Sequence, residues 1–316
     1  MSQIEQKIAR ELNVQDRQVV AAVALLDEGA TVPFISRYRK EVTGGLDDIQ
    51  LRALEDRLRY LRDLEDRRKS ILATIDEQGK LTDPLRRAIM QSETKTELED
   101  LYLPYKKKRR TKGQIAREAG LEPLAEALLG DPMLDPELQA AAYLNPQAEI
   151  NDSKAALDGA RYILMERFAE DAALLGKLRQ YMWQFGQIQA RLIAGKEQDG
   201  AKFQDYFEHD EALNKVPGHR ALAMFRGRNE GCLSLALVLP DEDPRSAGAG
   251  ALMVAETFGI EDQSRPADKW LLDVCRWTWR IKLLTHIETD LFGQIRESSE
   301  QSAIDVFAQN LKALLL

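Results

Sequence analysis

Cysteine and histidine are nearly missing from this chain of 316 residues, which has two cysteines, Cys232 and Cys275, and three histidines, His209, His219 and His286. Two cysteines cannot build a disulfide framework and suit a reducing cytoplasm. The histidines stand far apart, none at metal-ligand spacing from a cysteine or another histidine, so no metal ion and no cofactor is implied. The Walker phosphate loop, the GxGxxG fingerprint and the GxSxG nucleophile elbow are all absent. Aromatic residues make up only 7% of the chain, and no apolar run approaches the length of a membrane span. The opening Met1-Ser2-Gln3-Ile4-Glu5 has no signal-peptide pattern. These absences point away from an enzyme, a secreted protein and a membrane protein, and towards a cytoplasmic one.

What is present is charge and helical periodicity. Charged residues are 30% of the chain and the formal net charge is −8. Residues 1–120 hold 24 Lys/Arg against 21 Asp/Glu, and the remainder 20 against 31, so a polyanion would meet the first third more readily. Ile4, Ile8 and Leu12 share a face, and Val19, Val20, Val23, Leu25 and Leu26 continue it up to Gly29. Leu46 to Gln78 reads as one long helix, its apolar stripe from Leu51 to Ile75 spaced mostly by three and four, with arginines and acids interleaved on the other faces. Asp83-Pro84, Asp131-Pro132 and Asp135-Pro136 each predict a capped helix start, and Thr94/Glu97 and Thr96/Glu99 fit capping boxes. Ala155 to Ala194 predicts a second long helical stretch, weakened by Gly176 and Gly186. Ala221–Arg226 and Cys232–Leu239 predict two strands around the glycine-bounded turn 227–231, with the second buried on both faces and ended by Pro240–Pro244. Helix returns from about Ala249, and again over Lys269–Leu291. The fold class expected is mainly α, a multi-helix assembly with one small β-hairpin near 221–239. The expected domains are 1–130, with helix-turn-helix character, and 131–316, a central helical scaffold.

Two basic clusters stand out. Lys106, Lys107, Lys108, Arg109, Arg110 and Lys112 place six cations in seven positions. Mutual repulsion allows such a run only on a solvated face or against a polyanion such as a phosphate backbone, and the second use requires side chains not already neutralised by the chain's own acids. After it, Ala116 and Gly120 suit the tight packing and turn of a helix-turn-helix, with Leu121 and Leu124 burying the second helix; Glu122 and Glu126 argue against that helix reading a major groove. In the second cluster, Arg37 and Arg39 flank Tyr38 and could hold phosphate beside a stacked base. The favoured reading makes Phe34, Ile35 and Tyr38 core, with the arginines in interdomain ion pairs and Gly44-Gly45 as the turn before the helix that Asp47 starts. The paired carboxylates Asp27-Glu28, Asp47-Asp48 and Asp241-Glu242-Asp243 fall at turns and helix starts, where capping explains them. Cys232 and Cys275 read as buried small hydrophobes. The apolar end, Ala303–Phe307 and Leu311–Leu316, has no cap and invites a covering surface.

Long stretches resemble one family. Thr31 to Leu46 looks like a signature of the bacterial transcription accessory (Tex) family, as do Asp100 to Lys112, Ala116, and Gly120 to Ala125. Asp152, Ala155, Ala160, Arg161 and Phe225 to Gly231 are similar to it too. The resemblance implies a helix-turn-helix-like N-terminal region and a helical scaffold. In full-length members these precede an RNase H-like domain without convincing catalytic residues, helix-hairpin-helix elements and a C-terminal S1 domain, and this chain would end before the RNase H-like part. The family's core resembles a eukaryotic elongation factor that is also a histone chaperone.

The function implied is non-enzymatic nucleic-acid binding in transcription. Lys106, Lys107, Lys108, Arg109, Arg110, Lys112 and Arg117 would contact phosphate, with Arg37, Arg39 and Arg228 as secondary contacts. Partners would be nucleic acid through its backbone, the transcription machinery, and the RNase H-like and S1 domains. The competing expectation is a helical protein-interaction scaffold with little nucleic-acid binding of its own, favoured by the acidity of 121–316.

Overall fold

The structure, a computed structural model, describes residues 2–107, 109–240 and 248–315, with the side chains of 312–315 outside the description. Lys108 and the predicted turn residues 241–244 therefore lie outside the described residues. The architecture is mainly α, with one small antiparallel sheet. Contacts divide the chain into two units, Met1–Tyr105 and Lys106–Leu316. Among the described residues no helix is long and apolar enough to cross a membrane.

The first unit comprises α1 (Gln3–Glu11), α2 (Asp16–Asp27), α3 (Val32–Tyr38), α4 (Asp48–Glu77), α5 (Asp83–Gln91) and α6 (Lys95–Tyr102). Its axis is α4, where Leu51, Leu54, Leu58, Leu61, Leu64, Ile71 and Ile75 bury one stripe. Ile8, Val19, Val23, Ile35, Ile89 and Leu98 from the other helices meet that stripe in one core. Asp47 and Gln50 close a reciprocal capping box at the start of α4, and Thr94 and Glu97 do the same for α6. Thr96 lies inside α6 and caps nothing. At α5 the cap is Thr82, which puts Asp83 and Pro84 in the first turn.

The second unit comprises α7 (Lys112–Glu118), α8 (Glu122–Gly130), α9 (Pro136–Ala140), α10 (Ser153–Ala169), α11 (Ala172–Phe185), α12 (Gly218–Asn229), α13 (Ala249–Thr257), α14 (Asp268–Trp277) and α15 (Leu284–Leu315). Its strands are β1 (Gln187–Leu192), β2 (Glu208–Ala212) and β3 (Leu233–Val238), in the order β2-β1-β3, all antiparallel. Both α7 and α8 pack on α10. Gly159 of α10 makes this possible: a Cβ there would fall 2.3 Å from Leu121 Cδ1 and 3.3 Å from Ala116 Cβ. Asp135 caps α9, whereas Asp131-Pro132 forms a turn closed by its carboxylate on the Met133 amide. Between α14 and α15 the backbone widens into a π-helical stretch, Thr278–Leu283.

The hairpin expected at 221–239 is not formed. Ala221–Arg226 belongs to α12, where Ala221, Met224 and Phe225 are buried at helical spacing. Gly231, at φ +70°, ends that helix in the left-handed conformation that suits glycine, and the Cys232 amide closes back on the Gly227 carbonyl. The second predicted strand is real, but its partner is β1, with Ile188 opposite Leu237. β1 cuts into the predicted long helix, whose regular part stops at Gly186. Nor is β3 buried on both faces: Leu233 and Leu237 are buried while Ser234 is exposed. It is an edge strand, and Glu288 of α15 accepts from the Leu237 amide at 2.8 Å.

Candidate nucleic-acid interface

The second unit begins with the basic segment, which runs without regular structure from Lys106 to Thr111 among the described residues. Thr111 fixes its far end. The Thr111 hydroxyl accepts from the Gln114 amide as the cap of α7 (3.0 Å) and donates to Glu166 Oε1 (2.9 Å). Glu166, on α10, is only 5% exposed. Arg117 Nη1 reaches the other carboxylate oxygen at 2.5 Å, and its Nε reaches Glu122 at 3.3 Å. Burial works against the Arg117 charge, but the bonds to Glu166 and Glu122 outweigh it and raise its pKa. The buried ion pair thus anchors the segment to α10.

The cations of this segment divide by what they face. Arg110 donates twice to Glu118 Oε2 (3.1 and 2.5 Å), and this pairing, with help from Gln114, holds the Glu118 carboxyl below its ordinary pKa. Lys112 sits 4.8 Å above the centre of the Tyr162 ring. Arg117 is committed to Glu166 and Glu122. Lys107 and Arg109 are exposed and have no ion pair among the described residues, and Lys106 is exposed as well. Arg228 lies apart from this group, half-buried on α12 with its guanidinium over Phe225 and Phe292, 5.3 and 5.8 Å from the ring centres. Sequence reasoning missed Glu166, which no motif marks.

In the first unit, α3 buries Val32 and Ile35 and leaves Phe34 and Tyr38 on its outer side, 43% and 66% exposed. Ile35 is core as expected; the two aromatics are not. Arg37 and Arg39 are exposed and, among the described residues, pair with no acid of that unit. Both cysteines are buried, and burial pushes the Cys275 thiol up to about 12. His209 lies 3.1 Å from Glu211, and His219 is exposed.

The architecture is that of a mainly α protein with one small antiparallel sheet, and comparison with known proteins names the family. Residues 2–76 match the Tex-like protein N-terminal domain and residues 131–307 the Tex central region-like family. The chain belongs to the Tex family. It is 59% identical over 312 residues to Protein YhgF of Escherichia coli, covering 98% of this chain. Identity to the transcriptional accessory protein Tex of Neisseria gonorrhoeae is 51% over 311 residues, again covering 98% of this chain. The human S1 RNA-binding domain-containing protein 1 is 25% identical over 347 residues, covering 98% of this chain and 32% of the human protein. The chain spans about 40% of the length of its bacterial relatives.

Proposed function

We propose that this chain is a non-enzymatic nucleic-acid-binding part of a transcription accessory factor, gripping the phosphate backbone without reading sequence. The observation that carries the reading is the pair Lys107 and Arg109, exposed and, among the described residues, not neutralised, on a segment pinned through Thr111 to the buried Glu166. Lys106 and Lys108 extend the same run in sequence. Arg110, Lys112 and Arg117 contribute less, since each is already engaged by a side chain of its own unit. The names of the relatives support a role in transcription and in RNA binding.

A filter-binding titration on single- and double-stranded oligonucleotides at two salt concentrations tests the proposal. Replacing Lys107 and Arg109 with alanine is expected to weaken binding to both. It should also flatten the salt slope by about 1.4 to 1.8, since each phosphate that a cation neutralises is worth roughly 0.7–0.9 of slope. Unchanged affinity at low salt would favour the second reading, a helical scaffold that docks on the transcription machinery. That alternative draws on the acidic balance of residues 121–316.

A further inference from the structure

Phe34 and Tyr38 break the packing pattern of the first unit. On α3 they stand with Arg37 at positions i, i+3 and i+4, one stripe of the helix, on the side away from the buried Val32. The two rings touch, centroids 5.4 Å apart and planes tilted by 45°. Beside them Arg37, Arg39 and Lys40 are all exposed, and among the described residues none is ion-paired with an acid of the unit, the adjacent Glu41 included. The contrast with α4 is direct, because there Arg57, Arg62 and Arg67 each hold a carboxylate at 2.6 Å. The backbone that carries the α3 cations is also fixed. The buried Thr43 hydroxyl donates to the carbonyls of Arg39 and Lys40, the Gly45 amide closes on Lys40, and Gln18 donates to the Gly44 carbonyl at 2.8 Å.

We propose that this face of α3 is a platform for single-stranded nucleic acid, with Tyr38 stacked on an unpaired base and Arg37, Arg39 and Lys40 holding the flanking phosphates. The proposal deepens the reading above and rests on it for the class of partner, but it uses different residues in the other unit. Three cations with no ion-paired acid of their unit among the described residues select a polyanion. Two exposed rings then select among polyanions, because the bases of a duplex cover one another and offer no free face, whereas every unpaired base has one. An acidic peptide would satisfy the charge and leave the rings idle. The platform is indifferent to sequence, since stacking needs only a flat π-face.

The test is a fluorescence-anisotropy titration of the 316-residue chain with a labelled oligothymidylate and with a blunt hairpin duplex, at low and moderate salt. Tyr38→Ala is expected to weaken oligothymidylate binding about 5- to 100-fold and to leave the duplex unchanged. Tyr38→Phe restores the single-strand affinity, and Arg37→Gln with Arg39→Gln flattens the salt slope for the single strand. Because Tyr38 is exposed, its alanine variant keeps the wild-type melting curve, so a drop in binding is not a failure to fold. A Tyr38→Ala protein that binds oligothymidylate like the wild type overturns the platform, as does equal weakening on strand and duplex. If alanine at Lys107 and Arg109 weakens binding while Tyr38→Ala is silent, the platform falls and the backbone-gripping reading stands. If the wild type binds neither oligonucleotide at low salt, both fall.

Discussion

Glu166 is a carboxylate where little water reaches, and its partners include the Thr111 hydroxyl at 2.9 Å and Arg117 at 2.5 Å. A buried pair of this kind adds little net stability over an apolar replacement, but removing one member leaves the other poorly solvated, at a cost of about 3–5 kcal/mol. Arg117 retains some solvent and a second partner in Glu122, which sets the expectation at the low end. Glu166→Gln should lower the urea unfolding free energy by about 3 kcal/mol, whereas Lys107→Ala, on the surface, should change it by less than about 0.5 kcal/mol. Equal effects would contradict the division of this segment into anchor and open cations. That division was invisible in the sequence. The run from Lys106 to Lys112 announces its charge plainly, but Glu166 lies 49 residues from Arg117 and 55 from Thr111, and only the packing of α7 on α10 joins them.

Among the helices, α4 works as a strut that ties its neighbours by charge as well as by leucine. Arg57 reaches Glu11 of α1, Arg62 reaches Asp27 of α2, and Arg67 reaches Glu99 of α6. Hydrogen bonds from Arg57 and Arg62 hold the carboxyls of Glu11 and Asp27 below their ordinary values, against the opposing pull of burial. A depressed acid stabilises the fold above its unfolded pKa, about 4, and loses that contribution as pH falls through the folded value. The double variant Glu11→Gln, Asp27→Asn should therefore melt lower than the wild type at pH 7 and lose less on acidification from about pH 5 to pH 2. An acid limb as steep as the wild type's would remove these pairs from the account. The strut itself was legible, since nothing competes with the three-and-four spacing from Leu51 to Ile75. The sheet was not. Ile188 and Leu192 are four apart and fit a helix as well as the alternation of β1. Ala221–Arg226 is too short to declare a period, and Gly231, which resembles a hairpin-turn glycine, is the left-handed residue that follows the C-cap of α12.

For the molecule as a whole, the net charge of −8 means that any polyanion is met against a weak general repulsion. The proposed binding through Lys107, Arg109 and the α3 cations should fade with salt, because each phosphate contact releases counterions. The mainly α architecture was readable from composition and periodicity alone, because helical stripes fill most of the chain. The π-helical stretch at Thr278–Leu283 was not, yet it bears on how the chain tolerates changes in length. There the inward side passes from Thr278 and Trp279 to Leu283 and Ile287, and Ile281 bulges towards solvent at 55% exposure. A wide turn of this sort stores one residue of slack. Deleting Ile281 should let it tighten to an ordinary turn, with Leu283, Ile287 and Leu291 still facing inward and only a small drop in melting temperature. Deleting Lys177 from the regular α11 has no such reserve and would swing every later side chain of that helix by about 100°.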